Sequence, residues 1–243
     1  MKMRRLSHKL ALAASQLLLA LPLVAEAAEA SIAQDQHDEE LEKSLESPPP
    51  VSELAQRGLD KARRGDHLAA IEDYNRAIQQ DSRDAYAYAF RSQSLRALGD
   101  DIGAEADIES VLQLRLEEWD QQLSTNPDDA DAYAGRAATL LSLGDALGAI
   151  DDFTMSLQLR PRHARTLFEL GNARYRAGDR TGALAAYRQS LAANRYLVES
   201  YVARALVRLD LGDVAGANTD RRIARRFAPS DQVTRGVDEE GIP

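Results

Sequence analysis

An arginine and an aspartate sixteen residues apart recur four times along this chain: Arg57 with Asp73, Arg91 with Asp107, Arg136 with Asp152, and Arg204 with Asp220. At a fifth place with the same spacing both are replaced together, by Leu170 and Ala186. Residue types that appear and disappear as a pair are expected to face each other. The chemistry expected of them is ion pairing, since a paired charge is exchanged for apolar groups at little cost whereas losing one partner is expensive. Catalytic chemistry has no comparable basis. The chain has no cysteine, and its four histidines, His8, His37, His67 and His163, stand apart from one another. No metal-ligand spacing, nucleophile elbow or phosphate loop occurs. The carboxylates read as helix caps and salt-bridge partners. No catalytic residue, cofactor or metal is expected, and the chain is read as not an enzyme.

Elements that place Arg and Asp at such a regular interval must themselves be regular. Gly-Asp-x-x-x-Ala recurs with its glycines at Gly65, Gly99, Gly144, Gly178 and Gly212 and its alanines at Ala70, Ala104, Ala149, Ala183 and Ala217. The glycine spacing is 34 except for one step of 45. Apolar residues flank each Gly-Asp at helical spacing on both sides. Glycine ends one helix, where a left-handed backbone is cheap only without a Cβ, and aspartate caps the next. The alanine marks a close helix crossing. Its expected counterparts, twelve residues earlier, are also small: Gly58, Ser92, Ala137, Gly171 and Ala205. Aromatics are 5% of residues and no run rich in Val, Ile and Thr appears, so the chain reads as all-α.

These residues resemble the tetratricopeptide repeat, a 34-residue helix-turn-helix unit. Counted within one repeat, the framework has a small residue at position 8, Gly-Asp at 15 and 16, Ala at 20, an aromatic at 24, a small residue at 27 and Pro at 32. Tyr74, Phe153 and Tyr187 match position 24; Ala77, Ser156, Ser190 and Ala224 match 27; Pro161 and Pro229 match 32, where Ser82 and Arg195 depart from it. The resemblance implies a right-handed α-solenoid of five units, 51–84, 85–129, 130–163, 164–197 and 198–231. The second is eleven residues longer. Eleven residues make three helical turns with little rotation of the face, so the stripe of Ile108, Val111, Leu112, Leu116, Trp119 and Leu123 is expected on one extended second helix. Trp119 and Leu123 are a candidate second contact for a partner.

The resemblance further implies that first helices line a concave groove. Its expected residues are Tyr86, Gln93 and Arg96 in the second repeat, Ala134 and Ala138 in the third, and Arg165, Phe168, Asn172, Tyr175 and Arg176 in the fourth. An aromatic floor with an arginine rim suits an extended peptide with apolar and acidic groups. Ala55 and Leu59 stand where some members of the family clamp a peptide carboxylate with Lys and Asn, so that specialisation is not expected. In the last repeat Arg221, Arg222, Arg225 and Arg226 form a basic patch, a polar cap that could also meet phospholipid headgroups or an acidic partner.

Outside the repeats, Lys2, Arg4, Arg5 and Lys9 precede an apolar run from Ala11 to Val24 and then AEAAEA. This is the pattern of a secretory signal over 1–27, cut after Ala27 or Ala30. Residues 28–50 are acidic and end in three prolines, a tether; 232–243 read as a flexible tail. The net charge of −9 argues against nucleic acid as a partner. The expectation is an exported adaptor or scaffold, periplasmic or secreted, that binds a protein or peptide in its groove. The alternative is a structural component that self-associates through the helix around Trp119.

Overall fold

The computed structural model describes residues 51–227. The expected signal, tether and tail, the repeat end at 228–231, and Pro229, His8 and His37 lie outside the described residues. Ten helices and no strand occupy the described part: α1 (Glu53–Arg63), α2 (His67–Gln80), α3 (Ala85–Ala97), α4 (Asp101–Thr125), α5 (Ala130–Leu143), α6 (Ala146–Leu159), α7 (Ala164–Arg176), α8 (Arg180–Ala193), α9 (Val198–Asp210) and α10 (Val214–Phe227). None is long and apolar enough to cross a membrane. The described residues are thus all-α, made of the successive helix-turn-helix pairs that the repeat spacing predicts.

Each turn within a pair follows from two residues. Gly65, Gly99, Gly144, Gly178 and Gly212 all take positive φ, between 79° and 93°, a region costly for any residue with a Cβ. The aspartate that follows caps the next helix. Ala69, Gly103, Gly148, Gly182 and Gly216 donate their backbone N–H groups to Asp66, Asp100, Asp145, Asp179 and Asp213. Each such cap contributes about 0.5–2 kcal/mol. First helices are capped less uniformly: Asp84 and Asp129 accept from α3 and α5, while His163 and Leu197 supply no side-chain cap to α7 and α9.

The chain falls into two compact units, divided between Leu114 and Arg115 within α4. In the first, Ala55, Ala70, Tyr74, Ala77 and Ala87 form a core against which Leu54, Ile78 and Phe90 pack. In the second, Ala137, Leu141, Ala149, Phe153, Leu170, Ala173 and Ala186 form one cluster and Phe168, Ala183, Tyr187 and Val207 another. The small residues are where the helices of a pair meet. All five alanines of the Gly-Asp-x-x-x-Ala element are fully buried, as are Ser92, Ala137 and Ala205. Gly58 and Gly171 lie under Tyr74 and Tyr187, whose rings occupy the space a Cβ would need.

Candidate functional site

The recurrent Arg–Asp couples meet across each helix pair. Arg57, Arg91, Arg136 and Arg204 each present Nε and Nη2 to the two carboxylate oxygens of Asp73, Asp107, Asp152 and Asp220, with Nε distances of 2.8, 2.8, 2.7 and 2.8 Å. The carboxylate is the buried partner: Asp73 is 1% exposed, whereas the Arg57 side chain is 52% exposed. Lys61 adds a second cation to Asp73 and Arg208 one to Asp220. The Arg57 hydrogen bond holds the Asp73 carboxyl well below the usual carboxylate range, against the opposing effect of burial. In the fourth repeat Leu170 and Ala186 are buried where the charges would be.

A third member of this arrangement is visible only in three dimensions. Arg91, Arg136 and Arg204 lie over the rings of Tyr88, Tyr133 and Tyr201 at 5.5, 5.6 and 5.6 Å, all three tyrosines at position 4 of their repeats. In the fourth repeat that position is Leu167, beside Leu170 and Ala186; in the first it is Leu54, where Arg57 and Asp73 are kept without the tyrosine. The signal was available in the periodicity, at a position outside the family framework. The same arginines also reach back one repeat: Arg91 donates to Asn75 at 2.6 Å and Arg136 to Asp120 at 2.7 Å.

The expected groove residues divide between the two units. In the first, Tyr86 and Arg96 are half-buried and Gln93 is exposed, and Tyr86 packs on Phe90 at 6.1 Å. In the second, the fourth-repeat cluster is largely engaged within the protein. Arg165 pairs with Glu169 at 2.9 Å and Glu199 at 3.6 Å. Asn172 donates to Glu169 and accepts from the Tyr187 hydroxyl. Arg176 donates to the Leu141 carbonyl at 3.0 Å. Tyr175 donates to Asp210 at 2.7 Å, which together with burial raises its phenol. Phe168 corrects the expectation of an aromatic floor. It is 9% exposed, packed on Tyr187 and Val207 and covered by the Arg165 guanidinium at 5.2 Å, because its side chain fills the joint between two helix pairs. Two apolar side chains stay open among them: Tyr175 and Leu206 are 37% and 42% exposed. Ala134 is half-buried and Ala138 exposed.

The second contact was expected on the long helix, at Trp119 and Leu123. α4 does run 25 residues without a break. Within the second unit, however, the Trp119 ring lies on Gly135 of α5, so close that an added Cβ would meet Cζ2 at 2.5 Å. Leu123 is 8% exposed, and the Trp119 Nε1 is buried without an acceptor. Leu123 is thus buried, and Trp119 is half-buried with one side of its ring against α5. Glycine at position 135 is what admits so large a ring.

A shallow depression of about 390 Å³ lies in the first unit, between Ser82, Tyr88, Ala106, Glu109, Ser110, Gln113 and Leu114. It includes none of the expected groove residues. Of the histidines, His67 lies 3.4 Å from Ser94 Oγ and His163 2.8 Å from Thr166 Oγ1; desolvation and the nearby Arg160 lower the His163 imidazole. Among the described residues no group of His, Asp and Glu is placed to hold a metal ion. In the basic patch Arg222, Arg225 and Arg226 are exposed and Arg221 is half-buried.

No family model matches the chain. It is similar to Tetratricopeptide repeat protein 36 of Danio rerio, with 39% identity over 64 residues, 26% of this chain; the match spans about a third, 34%, of that curated relative's length. Among solved structures it is similar to a thermophilic TPR protein of Thermus thermophilus, at 20% identity and a TM-score of 0.48, covering 76% of this chain and 94% of that one. It is also similar to YrrB, a TPR protein described as having an unusual peptide-binding site, at 13% identity and a TM-score of 0.45, covering 78% and 92%.

Proposed function

We propose that this chain of tetratricopeptide-type helix pairs is an exported, non-catalytic binding module that takes an extended segment of another protein along its first helices. The observation that carries the reading is the open apolar surface of Tyr175 and Leu206, on α7 and α9, beside polar groups that already have internal partners. Tyr175 is tied to Asp210, and Arg165 to Glu169 and Glu199. A rim held in this way is preorganised, and ordering it on binding costs little. The ligand then adds an apolar side chain against Tyr175 and Leu206 and backbone groups against the fixed polar rim. The export part of the reading is supported by the basic, apolar and small-residue order of residues 1–30.

The test is site-specific photo-cross-linking in the native cell, with benzoylphenylalanine at position 206 and, as a control, at the exposed position 72 on α2. A discrete adduct is expected at 206 and none at 72. Equal labelling at both, or none, would overturn the assignment of the first helices. N-terminal sequencing of the same material is expected to read from Ala28 or Ser31, and a start at Met1 or Lys2 would remove export from the proposal.

A further inference from the structure

Charge is unevenly distributed along the described chain. Residues 164–227 hold twelve arginines, no lysine and six carboxylates, while residues 51–163 hold twelve Lys and Arg against twenty-one Asp and Glu. Half of the arginines after 164 are committed in this way: Arg165, Arg180, Arg204 and Arg208 to carboxylates, Arg174 and Arg176 to carbonyls. Arg188, Arg195, Arg222 and Arg226 are different. All four are exposed, and no carboxylate of the described residues pairs with any of them.

Their placement gathers them on the second-helix side of the second unit. Arg188 and Arg222 hold the same repeat position on α8 and α10, and Arg226 lies one turn beyond Arg222 on the same face. Arg195 sits in the turn after α8, its guanidinium 5.5 Å from the Tyr196 ring. Tyr196 is 64% exposed and meets Phe227, the neighbour of Arg226, edge-on at 5.3 Å. An exposed aromatic thus stands among the cations.

Fold stability does not account for Arg188. At the joints between earlier repeats this position carries an acceptor: Asn75 takes the bond from Arg91 and Asp120 that from Arg136. Arg188 stands in the same register to Arg204 and brings a like charge, so an acceptor would serve the fold better. Arginine to the exclusion of lysine also has a chemical meaning. Its planar fork binds carboxylates with two parallel hydrogen bonds, and an aromatic face beneath it fixes the plane.

We infer that Arg188, Arg195, Arg222 and Arg226 form a docking face for a carboxylate-rich polypeptide segment. An anionic bilayer fits less well, because residues 51–163 of the same chain carry an excess of nine negative charges that such a surface would repel. The face deepens the reading of the chain as a protein-binding module, yet it lies on second helices and not on the first helices of Tyr175 and Leu206.

The experiment measures fluorescence anisotropy of a labelled dodecaglutamate peptide with the full chain at about 50 and about 300 mM NaCl, conditions that change screening. Binding is expected at the lower salt, with dodecaglutamine inert and release at the higher salt. Arg222→Glu with Arg226→Glu is expected to weaken binding by about tenfold or more, while Arg64→Glu with Arg76→Glu on the first unit changes it less than about twofold. Tyr175→Ala with Leu206→Ala is expected to leave it unchanged, which separates failure here from failure of the first-helix site. Absence of binding, equal loss in the Arg64 and Arg76 control, or preference for phosphatidylglycerol vesicles over the peptide would overturn the inference. If the charge reversals on α10 reduce helicity by circular dichroism, Arg195→Glu, outside any helix, provides the same test.

Discussion

The Arg–Asp couples have two unequal members. Asp152 is 6% exposed, while the Arg136 side chain is 26% exposed and holds Asp120 as well as Asp152. Arg136→Leu is therefore expected to cost about 3–5 kcal/mol, since it strands a buried carboxylate. Asp152→Ala is expected to cost less, about 1–3 kcal/mol, because the guanidinium keeps Asp120 and access to water. The triple change Tyr133→Leu, Arg136→Leu and Asp152→Ala copies the fourth repeat and is expected to recover most of the Arg136→Leu loss. Urea denaturation of the three variants decides it; equal costs for the two single changes would contradict the asymmetry. At this scale the sequence was informative where two residues must vary together. It was silent where one partner has no side chain: nothing about Gly135 announces that Trp119 will rest on it. It was misleading at Phe168, because a position that lines a groove when occupied by a polar residue turns into the joint when occupied by a ring.

The helices were legible for a different reason. A left-handed glycine followed by a capping aspartate marks the same turn five times, so the starts of second helices needed no tertiary information. The length of α4 was legible too, since eleven residues keep the face in phase; what covers that face was not. The structure sharpens the consequence of removing the extension. Deleting Leu116 to Asn126 leaves Glu109 sixteen residues before Arg136, in the register from which Asn75 receives Arg91. The shortened chain is expected to keep its helicity, with Glu109 replacing Asp120 as acceptor. A deletion of nine residues there turns the following helix by about 180° and is expected to lose cooperative melting. Circular dichroism melts of both deletions test this, and collapse of the eleven-residue variant would refute the in-phase reading.

For the molecule as a whole, the adjacent pair Asp73 and Tyr74 sets limits on both sides of neutrality. Asp73 has a depressed native pKa, chiefly through the Arg57 hydrogen bond. Its contribution is present above the unfolded value of about 3.9 and is lost as pH falls toward the lower native value. Burial pushes the Tyr74 phenol up to about 12, so its neutral form is favoured in the fold. That contribution is complete below about 10, the unfolded value, and is lost as pH rises toward about 12. Asp73→Asn is expected to flatten the acid limb of a stability–pH curve and Tyr74→Phe the alkaline limb, as read by melting temperature across the range. A Tyr74→Phe curve that still falls between those two values would assign the alkaline limb elsewhere. The charge contrast between residues 51–163 and 164–227 was equally present in the sequence, but its meaning depends on which arginines are already taken, and only the fold supplies that.

The unequal exposure of each Arg–Asp couple also constrains sequence history. A repeat can pass from the charged trio to the apolar one seen at Leu167, Leu170 and Ala186, but the steps are not interchangeable. Where the aspartate has no second cation, as at Asp107 and Asp152, it must leave first, because an arginine without it still reaches water. The reverse order passes through an ancestor with a stranded carboxylate, the costliest state available. Among descendants of a duplicated repeat, lone surviving arginines are tolerable intermediates, and a lone buried aspartate is tolerable only with a second cation such as Lys61 or Arg208 beside it.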